Sequence, residues 1–207
     1  MIQSCKQKLT LILILFVLTI SCRSSKYNES YGTVLEPLPK EIKDKIVILK
    51  LKKSIGVIFP KEYEGFKGYF STGIYENRFT PNENEIRKME FEIEKQYLDT
   101  ERKWANYQAF NWPEDIYQTQ EEKQIEYNNL MKYSKKEAKE IKYFDRQYIG
   151  YLVNGDKYIF IKFFDFRKDP YKLKNQLTES VIDGWHGWFT TNVRQKKYNL
   201  NKKILSN

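Results

Sequence analysis

The pattern of apolar and polar positions is sharpest between Tyr143 and Phe164, YFDRQYIGYLVNGDKYIFIKFF. Two runs rich in β-branched and aromatic residues flank Asn154-Gly155, the strongest short-range signal for a β-hairpin. A two-residue turn there sets Val153 opposite Asp156, Leu152 opposite Lys157, Tyr151 opposite Tyr158 and Ile149 opposite Phe160. One face of the ribbon then carries Ile149, Tyr151, Tyr158 and Phe160, and the other Tyr148, Leu152, Ile159, Ile161 and Phe163. A hairpin is marginal alone in water, so a ribbon that is apolar on both faces belongs at the centre of a sheet covered on both sides.

Strands are predicted on either side. Ile46–Leu51 and Ile55–Phe59 read as strands ended by Pro60, and Phe66–Ser71 as a shorter one among glycines. Ser180-Val181-Ile182 suits a strand entering Asp183-Gly184. Trp188–Val193 reads as the next strand, Arg194–Lys197 as a turn and Tyr198–Leu205 as a last strand. Thr80-Pro81-Asn82-Glu83 has the form of a capping box, with Pro81 at the first helical position. Ile86, Met89, Ile93 and Tyr97 follow at helical spacing. Trp104–Tyr117 is irregular and crowded with aromatic residues, which implies packing. A second helix, from Pro113 or Gln118 to Ile141, has few apolar positions and reads as a surface helix. Together these elements predict an α+β domain, with an antiparallel sheet of about five strands centred on the 143–164 hairpin and two main helices packed on it. The helices cover one face of the hairpin. What covers the other is open, which points to a partner or a self-association surface.

The start of the chain has a different pattern. Lys6 and Lys8 precede an apolar run from Leu9 to Ile20 and then Ser21-Cys22. The run is shorter than the roughly 20 residues a membrane-spanning helix needs and fits a secretory signal peptide. Leu18-Thr19-Ile20-Ser21-Cys22 resembles the lipobox of bacterial lipoproteins, in which the cysteine becomes the first residue and carries lipid. Arg23–Lys40 is polar, contains Pro37 and Pro39, and reads as a flexible tether. The predicted organisation is therefore a signal over 1–21, a lipidated Cys22 and tether over 22–40, and one domain over 41–207. In lipoproteins of Bacteroidota an acidic cluster after the cysteine resembles a surface-export signal. Here Arg23-Ser24-Ser25-Lys26 is basic, which by that resemblance favours the periplasmic face of the envelope over the cell surface.

Composition adds little chemistry. Net charge is +9, and without Lys6 and Lys8 the chain from Cys22 onward carries +7. Both signs are interspersed, and no aromatic-interleaved nucleic-acid motif is present, so nucleic acid is not an expected partner. The two cysteines, Cys5 and Cys22, precede the domain, which leaves it neither a disulfide framework nor a thiolate metal site. The basic run Arg194–Lys203 reads as a guarded edge strand or as a contact for anionic lipid.

The single histidine, His186, lies in Asp183-Gly184-Trp185-His186-Gly187-Trp188. Three readings compete there. Trp185 and Trp188 with Asp183 and His186 would make an aromatic platform for a protein partner or a glycan. Ser180, Asp183 and His186 include the residue types of a hydrolytic triad, without a nucleophile-elbow pattern. The plain alternative is a glycine-bent loop with packed tryptophans. One histidine does not make a metal site, and no cofactor is implied.

Phe79-Thr80-Pro81 before a Glu-rich helix, Arg146-Gln147-Tyr148-Ile149-Gly150-Tyr151 leading into a hairpin, and Asp183-Gly184 before a final aromatic-rich pair of strands together resemble a group of small lipoproteins of Bacteroidota that has no assigned activity. The resemblance covers Phe79–Asn207 with a gap over 104–141, and Arg-Gln-Tyr-x-Gly is its most specific part. Trp185 stands where that group has a second glycine. The resemblance implies an envelope lipoprotein with one α+β domain and transfers no site. The leading expectation is a non-enzymatic, lipid-anchored protein that binds a protein partner, of inhibitor or immunity type. The alternatives are a small-ligand or glycan-binding module using the Trp185–Trp188 loop, and a hydrolase centred on Asp183 and His186.

Overall fold

A computed structural model describes residues 26–28, 33–63, 77–111, 119–184 and 187–207. Cys22, Trp185, His186 and the expected strand at Phe66–Ser71 lie outside these residues. The elements are, in order, β1 Lys26–Asn28, β2 Thr33–Pro37, α1 Lys40–Lys43, β3 Val47–Lys50, β4 Ile55–Ile58, β5 Arg78–Phe79, α2 Glu83–Asn111, α3 Gln120–Glu140, β6 Asp145–Val153, β7 Asp156–Phe164, β8 Ser180–Gly184, α4 Gly187–Asn192, β9 Val193–Asn199 and β10 Ile204–Ser206.

The α+β class, the central hairpin and the two main helices hold. The main sheet is larger than the five strands expected: seven strands in the order β10-β9-β7-β6-β4-β3, with β5 also on β6. Every pairing in it is antiparallel except β4 with β6. The β6–β7 register is the one the turn dictates, with Val153 opposite Asp156 and Tyr151 opposite Tyr158. Asn154 and Gly155 both have positive φ, 50° and 83°, as a two-residue turn matched to strand twist requires. A second sheet, β1-β2-β8, includes two strands from the stretch expected as a tether.

Alternation along β6 and β7 gives each face its own core. Ile149, Tyr151, Phe160 and Phe164 pack with Leu38 and Ile42 around α1, Val181 and Ile182 of β8, and Trp188 and Phe189 of α4. Tyr148, Ile159, Ile161 and Phe163 pack with Ile86, Met89, Ile93 and Tyr97 of α2. The face left open in the sequence reading is thus covered by this chain's own second sheet and short helices, which removes that face as a self-association surface.

Local departures have local causes. Helix α2 starts two residues later than expected. The Asn82 amide donates to Glu85 Oε2 at 3.0 Å and the Glu85 amide to Asn82 Oδ1 at 2.9 Å, so Asn82 and Glu85 form the box. The Thr80 hydroxyl instead accepts from the Lys61 amide at 3.0 Å. Helix α2 continues through Trp104 to Asn111, and Trp104 and Tyr107 are exposed instead of packed. The expected strand from Trp188 is the helix α4, because the adjacent Trp188 and Phe189 both enter one core, which a strand would forbid. Arg194–Lys197 is part of β9, not a turn. Its alternate charged residues face α2 and α3, where glutamates meet them.

Buried polar groups bind the layers together. Arg146 is 1% exposed. Its Nε lies 3.0 Å from Glu90 Oε2, and it donates to Ser54 Oγ at 2.8 Å, to the Ile141 carbonyl at 3.1 Å and to the Phe144 carbonyl. Tyr148 donates to the same Glu90 at 2.8 Å. Burial raises the Glu90 carboxyl against the opposing pull of Arg146 and Tyr148. On the other face Gln147 donates to the carbonyls of Leu177 at 3.0 Å and Ser180 at 2.9 Å. Lys162, 0% exposed, donates to the Ile182 carbonyl and to Asp183 Oδ1, both at 2.9 Å.

Three substitutions test this frame. A Cβ on Gly150 would sit 2.4 Å from the Phe79 carbonyl oxygen, so Gly150→Ala is expected to cost about 1–3 kcal/mol as β5 is pushed off β6. Arg146→Ala leaves Glu90 buried without its cation and is expected to cost about 3–5 kcal/mol. Lys43→Ala, at an exposed pair with Glu179, is expected to cost under about 1 kcal/mol. Urea denaturation of the three variants measures all of these.

Candidate functional site

Two clefts, of about 670 and 460 Å³, share Tyr133, Glu137, Thr190 and Arg194 and form one groove. One wall is the second half of α3, from Tyr133 to Glu140. The opposite wall is α4 with the Asp165–Lys168 turn, and Val193–Lys196 of β9 lies between them. Trp104 from α2 and the terminal Asn207 border the smaller cleft. Helix α3 is set by a capping box, with Thr119 and Glu122 satisfying each other's amides. Helix α4 is fixed by Trp188, whose indole Nε1 donates to the Lys168 carbonyl at 2.6 Å and whose ring lies on Phe166 at 5.8 Å between centroids. The Asp165 amide donates to the Asn192 carbonyl at 2.8 Å, which ties the turn to the end of α4.

The acidic residues of the groove are all matched internally. Glu137 accepts from Arg194 Nε at 2.6 Å and from the Tyr97 hydroxyl. Glu101 meets Lys196, whose ammonium also reaches the Asn207 side chain. Arg167 bridges Asp165 at 2.6 Å and Glu140 at 2.8 Å. Burial, then the charges of Glu137 and Glu101, pushes the Tyr97 hydroxyl far above the usual tyrosine range, so it stays a hydrogen-bond donor. Burial favours the neutral form of Asp165, but hydrogen bonds and charge from Arg167 outweigh it and hold the carboxyl below the usual aspartate range. The rim is aromatic: Tyr133 is 73% exposed and Trp104 37%.

Of the residues singled out in the sequence, Trp188 is 8% exposed and sits in the core under α4, where the packed-tryptophan alternative puts it. Asp183 is half-buried and holds Lys162, and the Ser180 hydroxyl is buried with Gln176 Oε1 at 3.4 Å. Trp185 and His186 lie outside the described residues. The basic run is largely occupied: Arg194 by Glu137, Lys196 by Glu101 and Lys202 by Asp156 at 2.8 Å. The groove itself was not foreseen. Its residues come from five separate segments, and the one available signal was the glutamates of α2 and α3 set against the bases of β9. Among the described residues, no group of three or more His, Cys, Asp or Glu is placed to hold a metal ion, and no helix is long and apolar enough to cross a membrane. Comparison with protein-family models, with curated proteins and with solved structures found no match to this chain.

A carboxylate whose folded pKa lies below its unfolded one stabilises the fold above the unfolded value, and that contribution is lost as pH falls through the folded one. Asp165→Asn is therefore expected to lower the melting temperature at neutral pH and to flatten the fall in stability below about pH 4, read from melts across that range.

Proposed function

We propose that this protein is an envelope lipoprotein, cut and acylated at Cys22 and facing the periplasm, whose domain binds a protein partner through the groove of α3, α4 and β9 and performs no chemistry of its own. An inhibitor or immunity-type role belongs to this class. The observation that carries the reading is the combination of exposed Trp104 and Tyr133 with a polar groove whose acidic residues are already neutralised. Large aromatic rings with polar tips are preferred anchors at interfaces, and ion pairs completed inside the domain need no partner charge when water leaves the groove. The signal-like start and the lipobox-like Leu18–Cys22 supply the location. Several acyl chains on one cysteine hold a protein at a membrane far better than one chain does. The same groove also suits a neutral glycan, since an aromatic rim beside hydroxyl and amide side chains is how a sugar ring is gripped.

The deciding experiment is crosslinking in cells with the full chain, beside Cys22→Ala and Trp104→Ala/Tyr133→Ala forms. One protein recovered repeatedly with the wild-type chain, and reduced at least about tenfold by the double substitution, is the expected result. Recovery that the double substitution leaves unchanged removes the groove from the proposal. Tryptophan fluorescence that responds to cell-wall fragments, with no protein recovered, moves the reading to the glycan.

A further inference from the structure

The outer surface of α3 is unlike the rest of the helical layer. Lys132, Lys135, Lys136 and Lys139 follow at i, i+3, i+4 and i+7 and so share one stripe. All four are exposed and border a shallow cleft of about 690 Å³ with Arg102 and Tyr127, and no carboxylate lines it. None of the four lysines makes an ion pair or side-chain hydrogen bond with another described residue. The acids of the same half-helix are used elsewhere: Glu137 is held by Arg194 and Glu140 by Arg167 on the groove side. The fold therefore neutralises the carboxylates of this half of α3 and leaves its four bases facing out. Helix α2 is treated differently. Four of its exposed bases have a carboxylate partner on the same helix: Arg87 with Glu83, Lys95 with Glu92, and Arg102 and Lys103 with Asp99.

The stripe is continuous with the groove, because Lys136 borders both. It also lies on the far side of the molecule from the start of the domain. The strand β2 joins β8 on one face of the main sheet, whereas α2 and α3 lie on the other. A chain tethered near its beginning thus presents the stripe away from the tethering surface, which argues against a lipid headgroup layer as its occupant.

From this we infer that the stripe is the electrostatic half of the partner-binding surface and that it receives an acidic protein segment rich in Asp and Glu. The inference rests on the binding reading above and names the chemistry of the partner. Carboxylates laid along the stripe would meet four ammonium groups that have no competing internal acid. Such contacts steer association and weaken with salt. The groove would then supply the aromatic anchors beside them.

The test uses fluorescein-labelled poly-L-glutamate as probe, titrated with the full-length protein in a neutral detergent and followed by anisotropy. Binding is expected, falling at least about tenfold between about 50 and 200 mM salt. It is expected to be lost in the Lys132→Gln/Lys135→Gln/Lys136→Gln/Lys139→Gln form and kept when the same four lysines become arginine, which separates charge from folding. No binding by the wild type, or equal binding by the glutamine form, overturns the inference. So does stronger binding of phosphatidylglycerol vesicles than of the acidic peptide through the same lysines, which would make lipid the occupant. Crosslinks in cells that depend on Trp104 and Tyr133 but persist unchanged in the glutamine form likewise overturn the stripe and leave the groove reading standing. Crosslinks that ignore Trp104 and Tyr133, with charge-dependent peptide binding intact, overturn the groove and support the stripe.

Discussion

Strand β6 is buried on both faces, and the adjacent polar residues Arg146 and Gln147 must each find partners in a different layer. An extended strand sends neighbouring side chains in opposite directions, and an unpaired buried charge or amide is costly. Arg146 reaches Glu90 of α2 and the carbonyls at the entry to β6, while Gln147 reaches the carbonyls that lead into β8. One step along, Tyr148 returns to Glu90. The cross-strand neighbours repeat the division: Lys162 lies opposite Gln147 and serves β8, and Phe163 lies opposite Arg146 with its ring 5.1 Å from the guanidinium carbon. The helices and the second sheet are thus docked at defined places on one ribbon, where apolar contact alone would leave them free to slide. The Arg-Gln-Tyr-x-Gly segment has an architectural reason for each residue. Its glycine makes room for Phe79 and Pro81.

The same rule, that a buried charge takes a partner, shapes the groove. Strand β9 is rich in cations yet lies inside the sheet, between β7 and β10. It is tolerated because Arg194 and Lys196 alternate toward α3 and α2, where Glu137 and Glu101 wait. This consumption of acids by the interior has a consequence outside. Of the glutamates in this half of α3 only Glu140 stands four residues from a stripe lysine, Lys136, and it is held by Arg167, so the outer stripe keeps its charge. The paired acids of the groove and the unpaired lysines of the stripe lie on adjoining sides of α3. A partner that uses both would take contact area from the first and orientation from the second.

The hairpin shows what a sequence can determine by itself. Asn154-Gly155 sets the turn because only residues that tolerate positive φ fit it, and period-two alternation then assigns every side chain of β6 and β7 to a face. Those are local rules, and the register and both core faces follow from them. The helical spacing of Ile86, Met89, Ile93 and Tyr97 is legible for the same reason. Where local signals were ambiguous, tertiary contact decided. Thr80 and Asn82 can each cap a helix, and the Lys61 amide takes the hydroxyl of Thr80, leaving the box to Asn82. Trp188-Phe189 suits a strand by propensity, yet both rings share one core and the backbone coils to allow it.

The candidate site belongs almost wholly to the second kind of information. No stretch of sequence shows that Glu101, Glu137, Arg194 and Asn207 meet, since a salt bridge between residues 57 apart, as in Glu137 and Arg194, leaves no periodic trace. Nor does composition show which lysines are neutralised. A charge run reads the same whether its members face glutamates across a layer, as in β9, or face water, as in α3. Spacing determined the turn, the strand register and the apolar faces, because these depend on neighbours in the chain. Only the packing of the layers decided the groove and the free charge of its outer wall, because these depend on residues that meet only after the chain has folded.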